Sequence, residues 1–184
     1  MKRILLLLTL CATAQAATIF SLNPKIGSRK VGQTLQVSLY AANVSDLVAY
    51  QFDLTFSTNM AVQSIDSDGL FASDGVGVFY FLDNAAGLIS FLNDALIGSA
   101  VLNGSDSLVK ITFLLLNPGP FTIGFDTAAA YDSGYGLITA DYYGADGIIE
   151  DAPASVPEPR TALLFCLSLT TLALARRARA GACR

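Results

Sequence analysis

Residues 50–56 alternate between apolar and polar side chains without interruption, in the order Tyr-Gln-Phe-Asp-Leu-Thr-Phe. Successive side chains of a β-strand point to opposite faces, so a period of two residues predicts a strand with one buried face and one face in water. The buried face would carry the three aromatic residues and the leucine, Phe52 among them. Gln51 would lie on the face exposed to water.

Eight further segments have strand-like patterns, and turn signals such as Asp68-Gly69 and Asn103-Gly104 separate them. The segments are 18–22, 34–43, 60–65, 76–82, 88–92, 108–116, 121–125 and 137–141. Between the two ends of the chain, no window has the period of a helix. About nine short strands at this spacing predict an all-β fold, a single β-sandwich of jelly-roll type.

The first 16 residues have the layout of a signal peptide. Two basic residues precede an apolar stretch at 4–11, and Ala14 and Ala16 provide the small residues of a cleavage site. We expect signal peptidase to cut before Ala17, so that the protein is exported.

The chain ends with a Pro-Glu-Pro motif, an apolar run at 161–175 and an arginine cluster. The prolines keep a linker at 150–159 extended, the apolar run favours lipid, and the arginines favour the cytoplasmic side. The residues of the motif and the cluster are Val156, Pro157, Glu158, Pro159, Arg176, Arg177 and Arg179. This order closely resembles the PEP-CTERM signal, which exosortases of Gram-negative bacteria recognise.

The resemblance implies an exosortase as a processing partner and a transient membrane anchor at 160–184. The protein would pass through an inner-membrane intermediate to the cell surface or extracellular matrix of a Gram-negative bacterium. A permanent C-terminal anchor is the alternative. Fifteen helical residues span only ~22 Å of a hydrocarbon core of ~30 Å, so such an anchor would be marginal.

The composition of the region between these ends excludes several functions. Cys11, Cys166 and Cys183, the only cysteines, lie in the terminal segments, and the chain has no histidine. Disulfides, thiol catalysis and cysteine-bound metals are therefore excluded from the central region. Residues 17–156 hold four basic and fourteen acidic side chains, a formal net charge of −10. A negative net charge opposes binding to nucleic acid, because the phosphate backbone is also negatively charged.

Catalysis has little support in the residues present. A hydrolase without histidine or cysteine would need paired aspartates, such as Asp66 with Asp68 or Asp83 with Asp94. Acidic residues beside turns are more often solvated loop residues. We therefore expect no enzymatic activity.

We expect no cofactor, and bound calcium is the alternative. Asp66 and Asp68 stand two residues apart before a glycine, and Asp141 opens an acidic stretch at 141–151. Neither place completes the calcium-binding loop of an EF-hand, and an Asp-Gly pair is also a common turn former. The three aspartates remain candidate ligands.

Four tyrosines concentrate near the end of the predicted domain: Tyr131, Tyr135, Tyr142 and Tyr143. Amphipathic rings beside hydroxyl and carboxylate groups form a candidate surface for stacking sugars. Burial in the sandwich would explain them equally well. Gln51, on the outward face of its strand, is a further candidate ligand contact.

The stretch 31–44 carries a glycine, an alternating strand and Asn43-Val44, and an aromatic-rich strand follows at 47–56. Together with Ser-Leu-Val-Lys-Ile-Thr-Phe at 107–113, this order resembles cohesin-like domains over residues 18–145. The resemblance implies a nine-stranded jelly roll related to carbohydrate-binding modules. In cellulosomes it also implies docking to calcium-loaded dockerin modules.

The contact positions of dockerin-binding cohesins differ in this chain. Ala49 and Gln51 stand where those cohesins tend to carry Asn and Asp, and Ser57 replaces an Asp after the strand. The resemblance therefore implies the fold but not the recognition of dockerin.

We therefore expect four segments: a signal peptide (1–16), a cohesin-like sandwich (17–149), a linker (150–159) and a sorting helix with its tail (160–184). The leading hypothesis is an exported, non-catalytic module that associates with extracellular polysaccharide or surface partners. A docking module for a dockerin-like protein is one alternative. A structural matrix protein without a specific ligand is another.

Overall fold

The structure, a computed structural model, describes residues 16–24 and 29–152. In chain order its elements are β1 (Thr18–Pro24), β2 (Thr34–Phe56), β3 (Met60–Ser67), α1 (Gly69–Asp74), β4 (Phe79–Asp83), β5 (Leu88–Ala95), β6 (Leu102–Leu115), β7 (Gly119–Asp132), β8 (Ala140–Tyr143) and β9 (Ala145–Ile149). Within these ranges, no helix is long and apolar enough to cross a membrane.

Strand β2 belongs to both layers of the sandwich. Its first part pairs with β1 and β6, whereas its second part, from Leu47 onward, pairs with β5 and β7. Between the two parts, Asn43 and Asp46 have φ angles of 54° and 63°. The register with β6 also shifts after Ala41 and again after Val44. These irregularities bend the backbone, and one strand thereby passes from the first layer into the second.

The first layer has the order β3-β6-β2-β1-β8, and the second has the order β4-β5-β2-β7-β9. Neighbouring strands are antiparallel except β1 and β8, which are parallel. Aromatic rings join the layers. The centroids of Phe20 and Phe52 lie 5.4 Å apart, as do those of Phe113 and Phe56. The predicted jelly-roll sandwich of about nine strands is confirmed.

The apolar row of residues 50–56 lies in the core, as predicted. Tyr50, Phe52, Leu54 and Phe56 are each 5% exposed or less. Four rings surround the ring of Phe52 at centroid distances of 5.3 to 6.1 Å, namely those of Phe20, Tyr50, Phe125 and Tyr142.

The observed strands differ from the predicted ones at several boundaries. Segments 34–43 and 50–56 are parts of the single strand β2. Segment 137–141 is a strand only from Ala140, and Leu137 forms an isolated bridge to Tyr131. Strand β9 has no counterpart in the prediction, because its internal Asp-Gly pair resembles a turn signal.

The expectation that no helix lies in the domain is wrong at α1. Six residues are too few to display the helical period of 3.6, so the pattern gave no signal. Phe71 is the buried residue of this helix, and its ring lies 5.0 Å from that of Tyr50. The helix therefore closes one side of the core beside β2.

A buried carboxylate holds the segment after this helix. Asp94, 3% exposed, accepts hydrogen bonds from the hydroxyl of Ser67 at 2.6 Å and from the backbone N–H of Gly77 at 3.0 Å. Because residues 75–78 are bound in this way, the strand predicted at 76–82 begins only at Phe79.

Candidate functional site

The second layer has an outer face formed by the side chains of β2 that alternate with the buried row. Gln51 lies at its centre, between its cross-strand partners Asn93 on β5 and Ala129 on β7. Ala49 lies two residues earlier, between Ala95 and Tyr131. We call this surface the outer face; alanine and amide side chains surround Gln51, and Asp53 is a charged member of the same row of β2.

Three phenylalanines border the outer face on one side. Phe79 and Phe81 belong to β4, and Phe91 belongs to β5; they are 54%, 59% and 50% exposed. Their rings meet edge to face, with centroids 5.1 Å apart for the first pair and 6.0 Å apart for Phe81 and Phe91. We call these residues the aromatic patch.

The aromatic patch lies at an edge of the second layer, because β4 pairs only with β5. An edge strand leaves backbone N–H and C=O groups without a neighbouring strand, and natural proteins usually place charged residues or proline there. Here the edge carries phenylalanines instead. Apolar rings beside an open strand edge are typical of a surface that contacts another molecule.

A β-bulge presents Phe91. The register between β2 and β5 shifts between Phe52 and Leu54, so that Ser90 and Phe91 together lie opposite Asp53. Phe91 has a φ of 53°, which is uncommon for an aromatic residue. The Asp53 carboxylate accepts hydrogen bonds from the backbone N–H of Phe91 at 2.7 Å and from the hydroxyl of Thr127 at 2.6 Å. Residues on three adjacent strands thus hold the bulge.

A cavity of about 660 Å³ opens at one end of the outer face. It lies where β2 enters the second layer, next to the loop that joins β5 to β6. Within the described part of the chain, no charged side chain lines it; the lining residues are Val48, Ala49, Ala95, Leu96, Gly98, Ser99, Ala100, Val101, Tyr131, Ser133 and Tyr135.

A tight turn after β7 forms one wall of this cavity. Asp132 Oδ1 accepts hydrogen bonds from the backbone N–H groups of Gly134 and Gly136 at 2.9 and 2.7 Å. A side chain at Gly136 would place its Cβ 2.8 Å from the Asp132 carboxylate, which would have to move away from the turn that it closes. Asp46 Oδ2 accepts hydrogen bonds from the backbone N–H and the hydroxyl of Ser133, which ties the turn to β2.

The structure divides the four predicted tyrosines into two groups. Tyr131 and Tyr135 line the cavity, and Tyr135 is 87% exposed. Tyr142 instead stacks on Phe20, with ring centroids 5.5 Å apart, and burial raises the pKa of Tyr142 above its ordinary value. Tyr143 is exposed on β8, in the first layer. Gln51 is at the centre of the outer face but does not line the cavity.

The structure does not bring the calcium candidates together. Asp66 lies on β3 and Asp141 on β8, at opposite edges of the first layer. Asp68 directly precedes α1, and its side chain makes no capping hydrogen bond. Among the described residues, no group of three or more Asp, Glu, His or Cys side chains is placed to hold a metal ion.

The aspartates considered for catalysis are also far from a paired arrangement. Asp83 lies opposite Leu88 at one end of the β4–β5 hairpin, whereas Asp94 lies near the other end of β5. Asp83 accepts hydrogen bonds from two backbone N–H groups of the hairpin turn. Both carboxylates therefore hold local structure.

The processing residues fall mostly outside the described part of the chain. Ala14 and the motif from Val156 to Arg179 are not among the described residues, so the sorting prediction stays a prediction. Ala16 and Ala17 are exposed and precede β1.

The aromatic patch was not predicted. The pattern did contain a signal for it: Phe-Tyr-Phe-Leu at 79–82 is apolar at four successive positions, so both faces of a strand there must carry apolar residues. In a sandwich one face of each strand lies outside the core, so one apolar row of this strand must be exposed or covered by another molecule. Which other apolar side chains join that row depends on strand pairing, which the local pattern does not contain.

Comparison with known proteins supports one family. The family model described as Cohesin domain matches residues 22–147. No curated protein matches the chain. Among solved structures, the non-cellulosomal cohesin from the hyperthermophilic archaeon Archaeoglobus fulgidus is similar at a TM-score of 0.62 and 14% identity, over 73% of this chain and 92% of that chain.

Two further similar structures are cohesin–dockerin complexes. A chain of the type I complex Coh-OlpC-Doc435 from Clostridium thermocellum has a TM-score of 0.59 and 15% identity, over 76% of this chain and 99% of that chain. The third cohesin ScaC in complex with the ScaB dockerin, from Acetivibrio cellulolyticus, has a TM-score of 0.59 and 22% identity, over 74% of this chain and 99% of that chain. These similarities show the fold.

Proposed function

Because the chain belongs to the cohesin domain family, we propose that its sandwich is a non-catalytic docking module that binds a partner protein on the outer face. The observation that carries this proposal is the aromatic patch of Phe79, Phe81 and Phe91. Three half-exposed rings leave on the order of 300 Å² of apolar surface in water, a size at which a patch on a monomer is often functional.

The rings have the properties of binding hot spots. Large aromatic residues dominate interface energies when a partner removes them from water. The backbone of Phe91 is also held by the hydrogen bond from its N–H to Asp53, so little backbone freedom remains to be lost when a partner binds. The short side chains around Gln51 leave a flat area next to the patch on which a helix or strand of the partner can lie.

A dockerin-like module is the first partner to test. Similar structures from Clostridium thermocellum and Acetivibrio cellulolyticus are complexes with dockerins. The acidic composition of residues 17–156 favours a partner with a neutral or basic surface. Ala49 lacks a polar group and Gln51 replaces a carboxylate or short amide by a longer amide, so the polar contacts expected of a dockerin-binding cohesin are altered and the aromatic patch would supply more of the binding energy here.

Export and sorting form part of the same proposal. The N-terminal pattern supports cleavage before Ala17, and the Pro-Glu-Pro motif with its arginine cluster supports processing by an exosortase. We expect the mature protein to begin at Ala17 and to lack the segment after Pro159. The intact mass of the secreted protein tests this, and recovery of the chain through Arg184 would contradict it.

Binding to immobilised dockerin modules tests the docking function. The panel consists of the dockerins of the two complexes named above and any dockerin repeats encoded in the source genome. The double variant Phe79→Ala/Phe81→Ala should bind at least about tenfold more weakly than the parent chain. The matched control is Ile148→Ala, an exposed apolar residue on β9, at the opposite edge of the same layer.

The control should bind within about twofold of the parent chain, since it lies outside the patch. Equal binding by the parent chain and the double variant would contradict docking through the patch. Absence of binding to every dockerin in the panel would contradict the dockerin-like partner. The alternative of a matrix protein without a specific ligand would then be favoured.

A further inference from the structure

The cavity beside Tyr135 is not needed for docking through the aromatic patch. Ala95 lines the cavity, and Phe91 of the patch lies four residue steps away along β5, ~13 Å. Phe79 of the patch lies nearer, opposite Asn93 on the edge strand β4. The two features therefore lie on one layer but at different places. The cavity is therefore a separate candidate binding site.

Its shape exists before any ligand arrives. The turn that carries Tyr135 is closed by the two hydrogen bonds to Asp132 Oδ1 and by the Tyr135 N–H, which donates to the carbonyl of Asp132 at 2.9 Å. The bonds from Ser133 to Asp46 fix the turn against β2. Tyr135 keeps a φ of 62° in this turn. The backbone that carries the exposed ring is thus fixed in place, so little backbone freedom is lost on binding.

The chemistry of the lining selects a neutral, amphipathic ligand. Two tyrosine rings and small apolar side chains provide most of the wall, and the hydroxyls of Ser99, Ser133 and the tyrosines provide hydrogen-bonding groups. Among residues 16–24 and 29–152, no lysine or arginine lines the cavity to bind an anion. The net charge of residues 17–156 also repels polyanions.

We propose that this cavity binds a neutral sugar ring of a polysaccharide, with Tyr135 as the stacking platform. A sugar ring has apolar C–H faces and a rim of hydroxyls, which match an exposed tyrosine ring and the hydroxyl groups of the lining. A volume of about 660 Å³ is within the usual range of ligand sites. The module would then hold a glycan and a protein partner at separate places.

An apolar side chain of a protein partner is the competing occupant. Such an anchor residue normally fills a pocket that is closed off from water. Tyr135 is 87% exposed and presents its ring outward, an arrangement that suits a flat ring lying on it more than a side chain inserted beneath it. The two occupants give different results in the experiment below.

Electrophoresis of the purified chain in native gels that contain polysaccharide tests the proposal. The gels contain a β-glucan, a xylan or a galactomannan as neutral polymers, and alginate as an acidic polymer. At least one neutral polymer should retard the chain. Tyr135→Ala should weaken that retardation by about tenfold in apparent Kd, the effect of losing one stacked ring. Ala100→Phe, which fills the cavity, should abolish it.

Tyr143→Ala is the matched control, because Tyr143 is also an exposed tyrosine but lies on β8 in the other layer. It should be retarded like the parent chain, and so should the double variant of the aromatic patch. Thermal melts confirm that each variant is folded. Tyr135→Ala keeps all the backbone hydrogen bonds of the turn.

Four results would overturn the proposal: no retardation by any neutral polymer, retardation by alginate alone, an unchanged Tyr135→Ala variant, or an equal loss in Tyr143→Ala. Loss of dockerin binding in Ala100→Phe, without retardation of the parent chain by polysaccharide, would identify the cavity as an anchor pocket for a protein. Failure of dockerin binding alone leaves these outcomes unaffected, so the two proposals are separable.

Discussion

The Asp53 carboxylate accepts a hydrogen bond from the backbone N–H of Phe91, with 2.7 Å between Oδ1 and nitrogen. The two residues are 38 positions apart in the chain and lie on β2 and β5. This bond satisfies the N–H that the bulge removes from the regular ladder. It links the centre of the outer face to the aromatic patch, and a change at Asp53 should therefore affect both stability and docking.

Replacement of Asp53 by alanine should lower the free energy of unfolding by about 1–3 kcal/mol, because the Phe91 N–H and the Thr127 hydroxyl lose their acceptor. Partner binding should weaken as well. Thr55→Ala, an exposed change on the same strand, should cost within about 0.5 kcal/mol. Urea denaturation of both variants measures the difference. Equal losses of unfolding free energy in the two variants would show that the bulge does not depend on Asp53.

Phe52→Ala should lower the free energy of unfolding by about 3–5 kcal/mol, through lost burial and the cavity left among four neighbouring rings. Gln51→Ala, on the outer face, should cost within about 0.5 kcal/mol. It can still weaken binding, since it lies at the centre of the proposed docking surface. Chemical denaturation decides the stability contrast, and similar midpoints for the two variants would contradict the assignment of the faces.

Asp94→Ala should lower the free energy of unfolding by about 3 kcal/mol or more, because it removes the charged acceptor of several buried or half-buried donors. These donors are the hydroxyl of Ser67 and the N–H groups of Gly77 and Ala95. Asp126→Ala is the control, since Asp126 is exposed. Faster proteolysis within residues 75–78 in Asp94→Ala would accompany the loss. Equal thermal midpoints for Asp94→Ala and Asp126→Ala would contradict the expected loss of stability.

Stability should fall at alkaline pH because of Tyr50. Burial raises the pKa of the Tyr50 hydroxyl well above its ordinary value, and the nearby Asp94 raises it further. Above pH ~10 the unfolded chain releases this proton while the folded chain retains it, so the free energy of unfolding decreases as pH rises. Below that pH, both states hold the proton and the effect vanishes.

Tyr50→Phe should reduce the steepness of this alkaline loss. At neutral pH the variant should be at least as stable as the parent chain, because the buried hydroxyl has no hydrogen-bond partner among the described residues. Denaturant titrations at pH 7 and pH 10.5 measure both effects. Identical slopes for parent and variant would assign the alkaline loss to other groups.

Chelation should leave the melting temperature nearly unchanged. Asp66 and Asp141 are at opposite edges of the first layer, four strand spacings or ~19 Å apart, too far to share an ion. A ligand bound to the folded state raises its melting temperature, so removal of a structural calcium would lower it. Melts with and without EDTA test this. A decrease of ~10 °C or more would restore calcium as a structural component.

The local pattern was sufficient where a structure depends on neighbours in sequence. The alternation of residues 50–56 placed Phe52 in the core and Gln51 on an outward face, because side-chain direction in a strand follows from the backbone itself. The missing histidines and the terminal cysteines also limited the chemistry of the central region without any knowledge of the fold.

The pattern was insufficient where a feature depends on which strands pair. Phe79 and Phe81 form a patch with Phe91 only because β4 pairs with β5 at an edge and a bulge brings Phe91 to the surface. Tyr135 and Tyr142 are seven residues apart, yet one is in water and the other stacks on Phe20. Their separation depends on a turn held by Asp46, a residue of β2 far away in the sequence.

Strand register and layer crossing are therefore properties of the tertiary structure alone. The two φ angles above zero at Asn43 and Asp46 let β2 serve both layers. Asn and Asp adopt such angles more readily than most residues, but the local pattern does not show that the strand continues past them into a second layer. The alternating sequence specifies that a core must form. Contacts between strands that are distant in sequence decide which apolar residues remain outside it, because the energy of such pairings is not contained in any local segment.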